Sequence, residues 1–202
     1  MTKWFWGNLT DWTSHTVIDA QCIIQTKYRT PYDLKDEMEQ QVQKMFQREV
    51  IGTSSSPWSA PAIFVQKKSG DGKPIFRLCL EFRALKAVTK FESYPLPRFD
   101  ETISTLFGSK YFILLDCYRS FWQVNIKEEH KEWTAFTVPS CHYDFNSLPF
   151  DLSDSPSNFK RLIDVVLKNY NMAEEHSLLL ENLLYRFDEA NLQLHPGKCD
   201  FA

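Results

Sequence analysis

The stretch that most constrains this chain runs from Tyr111 to Ile126, YFILLDCYRSFWQVNI. Tyr111, Phe112, Ile113, Leu114 and Leu115 form an unbroken apolar run that stops at one acid, Asp116. A run this short, rich in strand formers and closed by a polar residue, reads as a buried strand. A carboxylate at the end of a buried strand is costly unless it is hydrogen-bonded, paired with a cation or bound to a metal. Asp116 therefore has two readings. It caps the turn that follows, as short acids commonly do, or it is a functional carboxylate displayed at a strand end. The aromatic pair Phe121 and Trp122 lies just beyond it.

The rest of the chain sets the setting for that acid. With 202 residues, 43% hydrophobic and 15% aromatic, the sequence supports one domain or two small lobes and excludes a disordered chain. The net charge of −3 gives no global attraction to nucleic acid, so any such binding must come from a local patch. The five cysteines (Cys22, Cys79, Cys117, Cys141, Cys199) are scattered and lack zinc-site spacing. They are expected to be free thiols in a reducing intracellular compartment, cytoplasmic or nuclear. No apolar run approaches a membrane span and the amino terminus lacks a signal-peptide pattern, so no membrane partner is expected.

Residues 1–33 read as an arm or linker. The first part carries Trp4, Trp6 and Trp12 without a clear period, and nothing in the pattern assigns them a role. Leu34 to Ile51 is expected to be an amphipathic helix, with Met38, Val42, Met45, Phe46 and Val50 on one face and Gly52 ending it. Ala62 to Gln66 and Ile75 to Phe82 are strand candidates joined by the Gly70-Asp71-Gly72 turn. Lys67, Lys68, Lys73 and Arg77 lie at or near the tip of that hairpin, and Arg83, Lys86 and Lys90 follow, against Asp71 and Glu81. This locally positive region is either a solvated tip or an arm that clamps phosphates.

Arg98 to Phe107 is expected to be a short helix closed by Gly108. Glu128 to Glu132 reads as a charged surface turn. Trp133 to Val138 and Cys141 to Phe145 read as a second hairpin around Pro139-Ser140. Asp154 or Ser155 should cap a helix with Pro156 in its first turn and an apolar stripe of Phe159, Leu162, Ile163, Val166 and Tyr170. A last helix is expected from about Glu174 to Leu194, stopped by His195-Pro196-Gly197.

In this order, SSSPWSAPAIFVQKKSGDG, FRLCLEFRALKAVT, YPLPRFDETISTLFGSKYFILLD, FWQV, EEHKEWTAF, LPFDLSDSPSNFKRLIDVVL and EEHSLLLENLLYRFDEANLQLHPGKCDFA resemble the reverse transcriptase domain of gypsy-class long-terminal-repeat retrotransposons. The resemblance covers nearly everything from His15 to Ala202. It implies an α+β fold, the fingers and palm of a right-hand polymerase, with 34–110 mainly fingers and 111–202 a partial palm. The implied reaction is nucleotidyl transfer onto a primer 3′-hydroxyl, with two magnesium ions held by three carboxylates. The implied partners are an RNA or DNA template-primer, a dNTP, and the thumb, ribonuclease H and integrase parts of a Pol polyprotein. Residue by residue, Asp116 matches the family's first metal-binding carboxylate, and Phe121 its aromatic gate against the ribose 2′-hydroxyl. Arg77 matches the fingers arginine on the triphosphate, and Lys67 or Lys68 the fingers lysine. Phe150 falls in the loop that packs on nucleotide and template.

The departures from that pattern matter as much as the matches. The family's other two carboxylates sit in a Tyr-x-Asp-Asp hairpin, but here Leu167-Lys168-Asn169-Tyr170-Asn171-Met172 runs straight into Ala173-Glu174-Glu175-His176. Glu174-Glu175 and Asp188-Glu189 are the nearest acid pairs, and both read as ordinary helix charge. Asp151 replaces a glycine beside the nucleotide, which adds bulk and negative charge near a triphosphate. Arg119 and Ser120 replace small residues and Lys86 replaces an asparagine, and the matched stretch ends before the thumb. Without two of three metal-binding carboxylates the chemistry is expected to slow on the order of a thousandfold or more. Ile113 and Leu115 are expected to lack sheet partners, which leaves an incomplete palm sheet with an unpaired edge. The alternative function is that of a decayed or domesticated remnant that binds nucleic acid through the basic patch without catalysis.

Overall fold

A computed structural model of the chain describes residues 16–17, 21–67, 75–90, 94–109, 111–168 and 176–201, with the backbone alone for Thr16, Val17, Lys67, His176, Ser177 and Phe201. In chain order the elements are β1 (Thr16–Val17), α1 (Lys35–Gln47), β2 (Ile51–Thr53), β3 (Ala60–Lys67), β4 (Ile75–Leu80), α2 (Arg83–Val88), β5 (Thr89–Lys90), α3 (Phe99–Thr105), β6 (Ile113–Leu114), α4 (Glu128–Lys131), β7 (Phe136–Thr137), β8 (His142–Phe145), α5 (Ser155–Val166), α6 (His176–Glu189) and β9 (Asp200–Phe201). The architecture is α+β, as the sequence leads one to expect. A five-stranded sheet runs in the order β2-β8-β7-β3-β4, and β1–β5 and β6–β9 form two separate ribbons. Neighbours in the larger sheet are antiparallel except β3 and β7, which are parallel. That sheet joins strands from both sides of residue 110.

The core forms where the alternation along β7 and β8 turns aromatic rings inward. Phe136 is fully buried, with ring centroids 5.5 Å from Phe145 and 5.9 Å from Tyr143. Met38 and Val42, one helical turn apart, press α1 onto the same cluster, and Phe82 and Leu85 join it at the start of α2. Gln41 on α1 completes the β4 edge: its amide donates to the Phe76 carbonyl at 2.8 Å and accepts from the Leu78 amide at 3.0 Å. A side-chain amide thus satisfies edge groups that would otherwise need another strand. A second cluster holds Val124, Leu148, Leu162, Val166, Phe187 and Leu192, which packs α5 against α6.

Several expectations need correction. Helix α1 stops at Gln47, short of Ile51, and Glu49 (φ 57) rather than Gly52 takes the left-handed position after it. The Val50 amide then bonds to the Met45 carbonyl at 3.1 Å. Burial of Val50 and Ile51 wins over helix continuation, and Gly52 pairs with Asp144 inside the sheet. Asp154 stands at the amino-terminal cap of α5 without a side-chain capping bond, while the Ser155 hydroxyl donates to the Pro149 carbonyl at 2.7 Å. Glu128 to Lys131 is a short helix instead of a turn.

The largest correction concerns the Tyr111–Leu115 run. Its regular part shrinks to Ile113–Leu114, and Tyr111, Phe112 and Leu114 are exposed. It is not a buried strand. Ile113 also has a sheet partner, Phe201, with Leu114 facing Asp200, so the expectation of an unpartnered Ile113 fails. The two hairpins form in the expected places, β3 with β4 and β7 with β8. The Gly70-Asp71-Gly72 turn, Lys68, Lys73, and the junction 169–175 with Tyr170, Glu174 and Glu175 lie outside the described residues.

Candidate active site

The carboxyl-terminal segment fixes Asp116 from one side. The His195 amide donates to the Asp116 carbonyl at 2.7 Å, and the Asp116 amide donates to Cys199 Sγ at 3.5 Å. Cys117 bridges Leu194 antiparallel, and the Tyr118 amide donates to the Gln193 carbonyl at 2.9 Å. Gln123 locks the same junction, accepting from the Gln193 amide at 2.6 Å and donating to its carbonyl at 3.0 Å. The backbone around the acid is therefore rigid, whereas its carboxylate is partly open to solvent, with Lys198 Nζ 3.3 Å from Oδ2. Beside it, burial pushes the Cys117 thiol up to about 11, and the charges of Asp116 and Cys199 add to that.

A cleft of about 490 Å³ opens over Asp116, and Ser120, Phe159 and Lys198 help to line it. Phe159, on α5, links the acid to the aromatic group: its ring centroid is 6.1 Å from that of Phe121. Phe121 lies 5.6 Å from Phe150, and Trp122 lies 5.4 Å from Phe150. The short 3-10 turn Ser120–Gln123 presents Phe121 and Trp122. It is entered through Arg119 in the left-handed region (φ 48, ψ 49), a strained choice for a residue with a Cβ. The Arg119 guanidinium lies 4.7 Å over the Trp122 ring, which helps to offset that strain.

Asp151 follows Phe150 and borders a small cavity of about 60 Å³ with Leu78 and Trp122. Burial raises the pKa of Cys79 on β4; the charge of Asp151 raises it further and that of Arg77 lowers it. Arg77 and Asp151 are thus opposite charges acting on one thiol, and the acid reaches the neighbourhood of the fingers arginine. Arg77 is exposed on β4 opposite Val65, and Lys67 ends β3 opposite Ile75. Among the other basic residues, Arg83 is committed to Glu81 at 2.6 Å.

The structure thus brings Asp116, Phe121 and Phe150 into one neighbourhood, and Arg77 and Asp151 into another. Sequence reasoning missed Phe159 and Lys198. Phe159 reads only as one member of an apolar helical stripe, and Lys198 follows a helix stop with no signal that it faces an acid 82 positions earlier.

The donors around Asp116 can be tested against the two magnesium ions that the resemblance implies. Hard divalent cations require several anionic or neutral oxygens. Among the described residues no three His, Cys, Asp or Glu side chains come together, and the nearest charged group to Asp116 is an ammonium. The described residues do not fit a two-ion site.

Comparison with known proteins places this geometry. The family model described as reverse transcriptase (RNA-dependent DNA polymerase) matches residues 65–175. The chain is 30% identical over 203 residues to the Retrovirus-related Pol polyprotein from transposon 412 of Drosophila melanogaster, covering 91% of this chain and 16% of that protein. It is 36% identical over 184 residues to the enzymatic polyprotein of Cauliflower mosaic virus (strain NY8153), covering 84% of this chain and 27% of the polyprotein. Among solved structures, the prototype foamy virus protease-reverse transcriptase superposes with a TM-score of 0.78 at 20% identity, over 93% of this chain and 27% of that one. The foamy viral protease-reverse transcriptase in complex with an RNA/DNA hybrid gives 0.78 at 20% identity, over 91% and 26%. The chain spans roughly a sixth to a quarter of these relatives.

Proposed function

The chain belongs to the reverse transcriptase (RNA-dependent DNA polymerase) family, and from that premise we propose that it forms the fingers and part of the palm of a gypsy-class polymerase that does not itself complete DNA synthesis. Residues 1–33 serve as an arm, 34–110 mainly as fingers and 111–202 as a partial palm. Its ligands are a template-primer and a dNTP, and the thumb, ribonuclease H and integrase parts belong to a longer polyprotein. The relatives being Pol polyproteins several times its length supports that placement.

Within this reading Arg77, with Lys67 or Lys68, takes the phosphates. Phe121, backed by Phe150, restricts the space beside the sugar. Asp151 opposes the triphosphate and weakens its binding. The observation that carries the proposed inactivity is the setting of Asp116. Its carboxylate faces Lys198, and no second or third carboxylate joins it among the described residues. An acid neutralised by an ammonium does not supply the charge that two divalent cations need. Losing several kcal/mol of transition-state stabilisation slows the reaction on the order of a thousandfold or more.

Primer extension with magnesium tests this. The chain and its Asp116→Asn variant are expected to give the same background signal on an RNA or DNA template. Synthesis by the chain that disappears in Asp116→Asn overturns the reading.

A further inference from the structure

Helix α3 exposes its apolar face. Phe99, Ile103, Leu106 and Phe107 fall at i, i+4, i+7 and i+8, on one side of the helix and the turn after it. They are 82%, 52%, 47% and 95% exposed, and no residue of α3 is buried. The helix is not loosely hung. The Arg98 amide donates to the Glu101 carboxylate at 3.4 Å, and the preceding Tyr94 hydroxyl donates to Asp164 of α5 at 2.7 Å. Two fully exposed phenylalanines on an anchored helix mark a surface that something covers.

We propose that the tryptophan-rich amino-terminal segment of the same chain, residues 4–12, lies across this face. Strand direction supports this occupant. β1 pairs antiparallel with β5, Thr16 opposite Lys90 and Val17 opposite Thr89. The chain before Thr16 therefore leaves β1 in the direction in which residues 91–98 lead from β5 to α3. Reach is sufficient: Trp6 lies ten residues from Thr16, a span of up to roughly 33 Å, and Phe99 lies nine residues from Lys90, at most roughly 30 Å. Chemistry agrees as well. Trp4, Phe5, Trp6 and Trp12 supply four large aromatic side chains to a face made of two phenylalanines and two branched aliphatics. The docked segment shields an apolar helix that otherwise invites association.

Amide exchange of residues 99–107, followed by mass spectrometry, tests the assignment. The full chain should protect this stretch, and removal of residues 1–14 should speed its exchange at least tenfold at every protein concentration. Changing Trp4, Phe5 and Trp6 together to serine should give the same loss with the chain length kept. In the full chain, Ile103→Glu, a surface change that leaves the cores intact, should speed chymotryptic cleavage at Trp4 to Trp6 several-fold. Equal exchange with and without residues 1–14 overturns the proposal. Protection that survives the deletion and disappears on dilution also overturns it, and assigns the face to a second copy of the chain.

Discussion

In β7 and β8, Phe136, Tyr143 and Phe145 turn inward and are nearly inaccessible to solvent, and the paired strands on either side satisfy their backbone. In β6, residues of the same apolar kind face water: Leu114 is 64% exposed and Phe112 44%. The five-stranded sheet has its neighbours, whereas the ribbon that carries Asp116 has one partner, β9, and a second side that no described strand occupies. The difference teaches that the stability of this chain and its chemistry reside in different places. The fingers-side sheet and the α5–α6 cluster hold the fold, while the acid that defines the family sits on a two-stranded ribbon.

If that division is correct, core and ribbon must respond differently to truncation. Phe136→Ala should cost about 3–5 kcal/mol, read as a drop in the urea midpoint. A loss under about 1 kcal/mol would break the comparison, because it would mean that the larger sheet is not the stable part. Leu162→Ala, in the cluster between α5 and α6, should cost about 2–5 kcal/mol. Cys117 sharpens the contrast within the ribbon. With its pKa at about 11 against an ordinary value near 9, its thiolate fraction at pH 8 is roughly a hundredfold lower. Alkylation should therefore proceed at the exposed Cys22 and Cys141 long before Cys117, as read by peptide mass mapping. Leu114→Ala should cost less than about 0.5 kcal/mol, as exposed positions do. Lys198→Ala removes an ion pair that is 62% exposed on one side and 41% on the other, and should change stability by no more than about 1 kcal/mol.

Residue patterns foretold most of the core. Met38 and Val42 at helical spacing, the two hairpins, and the apolar stripe of α5 read directly from period and turn chemistry. The Tyr111–Leu115 run misled because hydrophobicity reports what a strand would bury and not whether neighbours exist to bury it. The end of α1 misled because Gly52 is the conformationally permissive residue, yet the pull of Val50 and Ile51 into the core forces Glu49 to turn. At the site, Asp116, Phe121 and Phe150 were legible through the motif resemblance. Lys198 was not, because its approach to Asp116 depends on the antiparallel pairing of residues 193–201 with 113–118, a long-range register that no local pattern encodes.

The central claim is that Asp116 stands in an incomplete metal centre. Manganese binding measured by electron paramagnetic resonance, with Mn²⁺ as the spectroscopic stand-in for magnesium, tests it most directly. The account predicts that the free-ion signal rises in proportion to added metal at sub-millimolar concentration, alike for the chain and for Asp116→Asn. Two equivalents taken up by the chain and released by Asp116→Asn would contradict it.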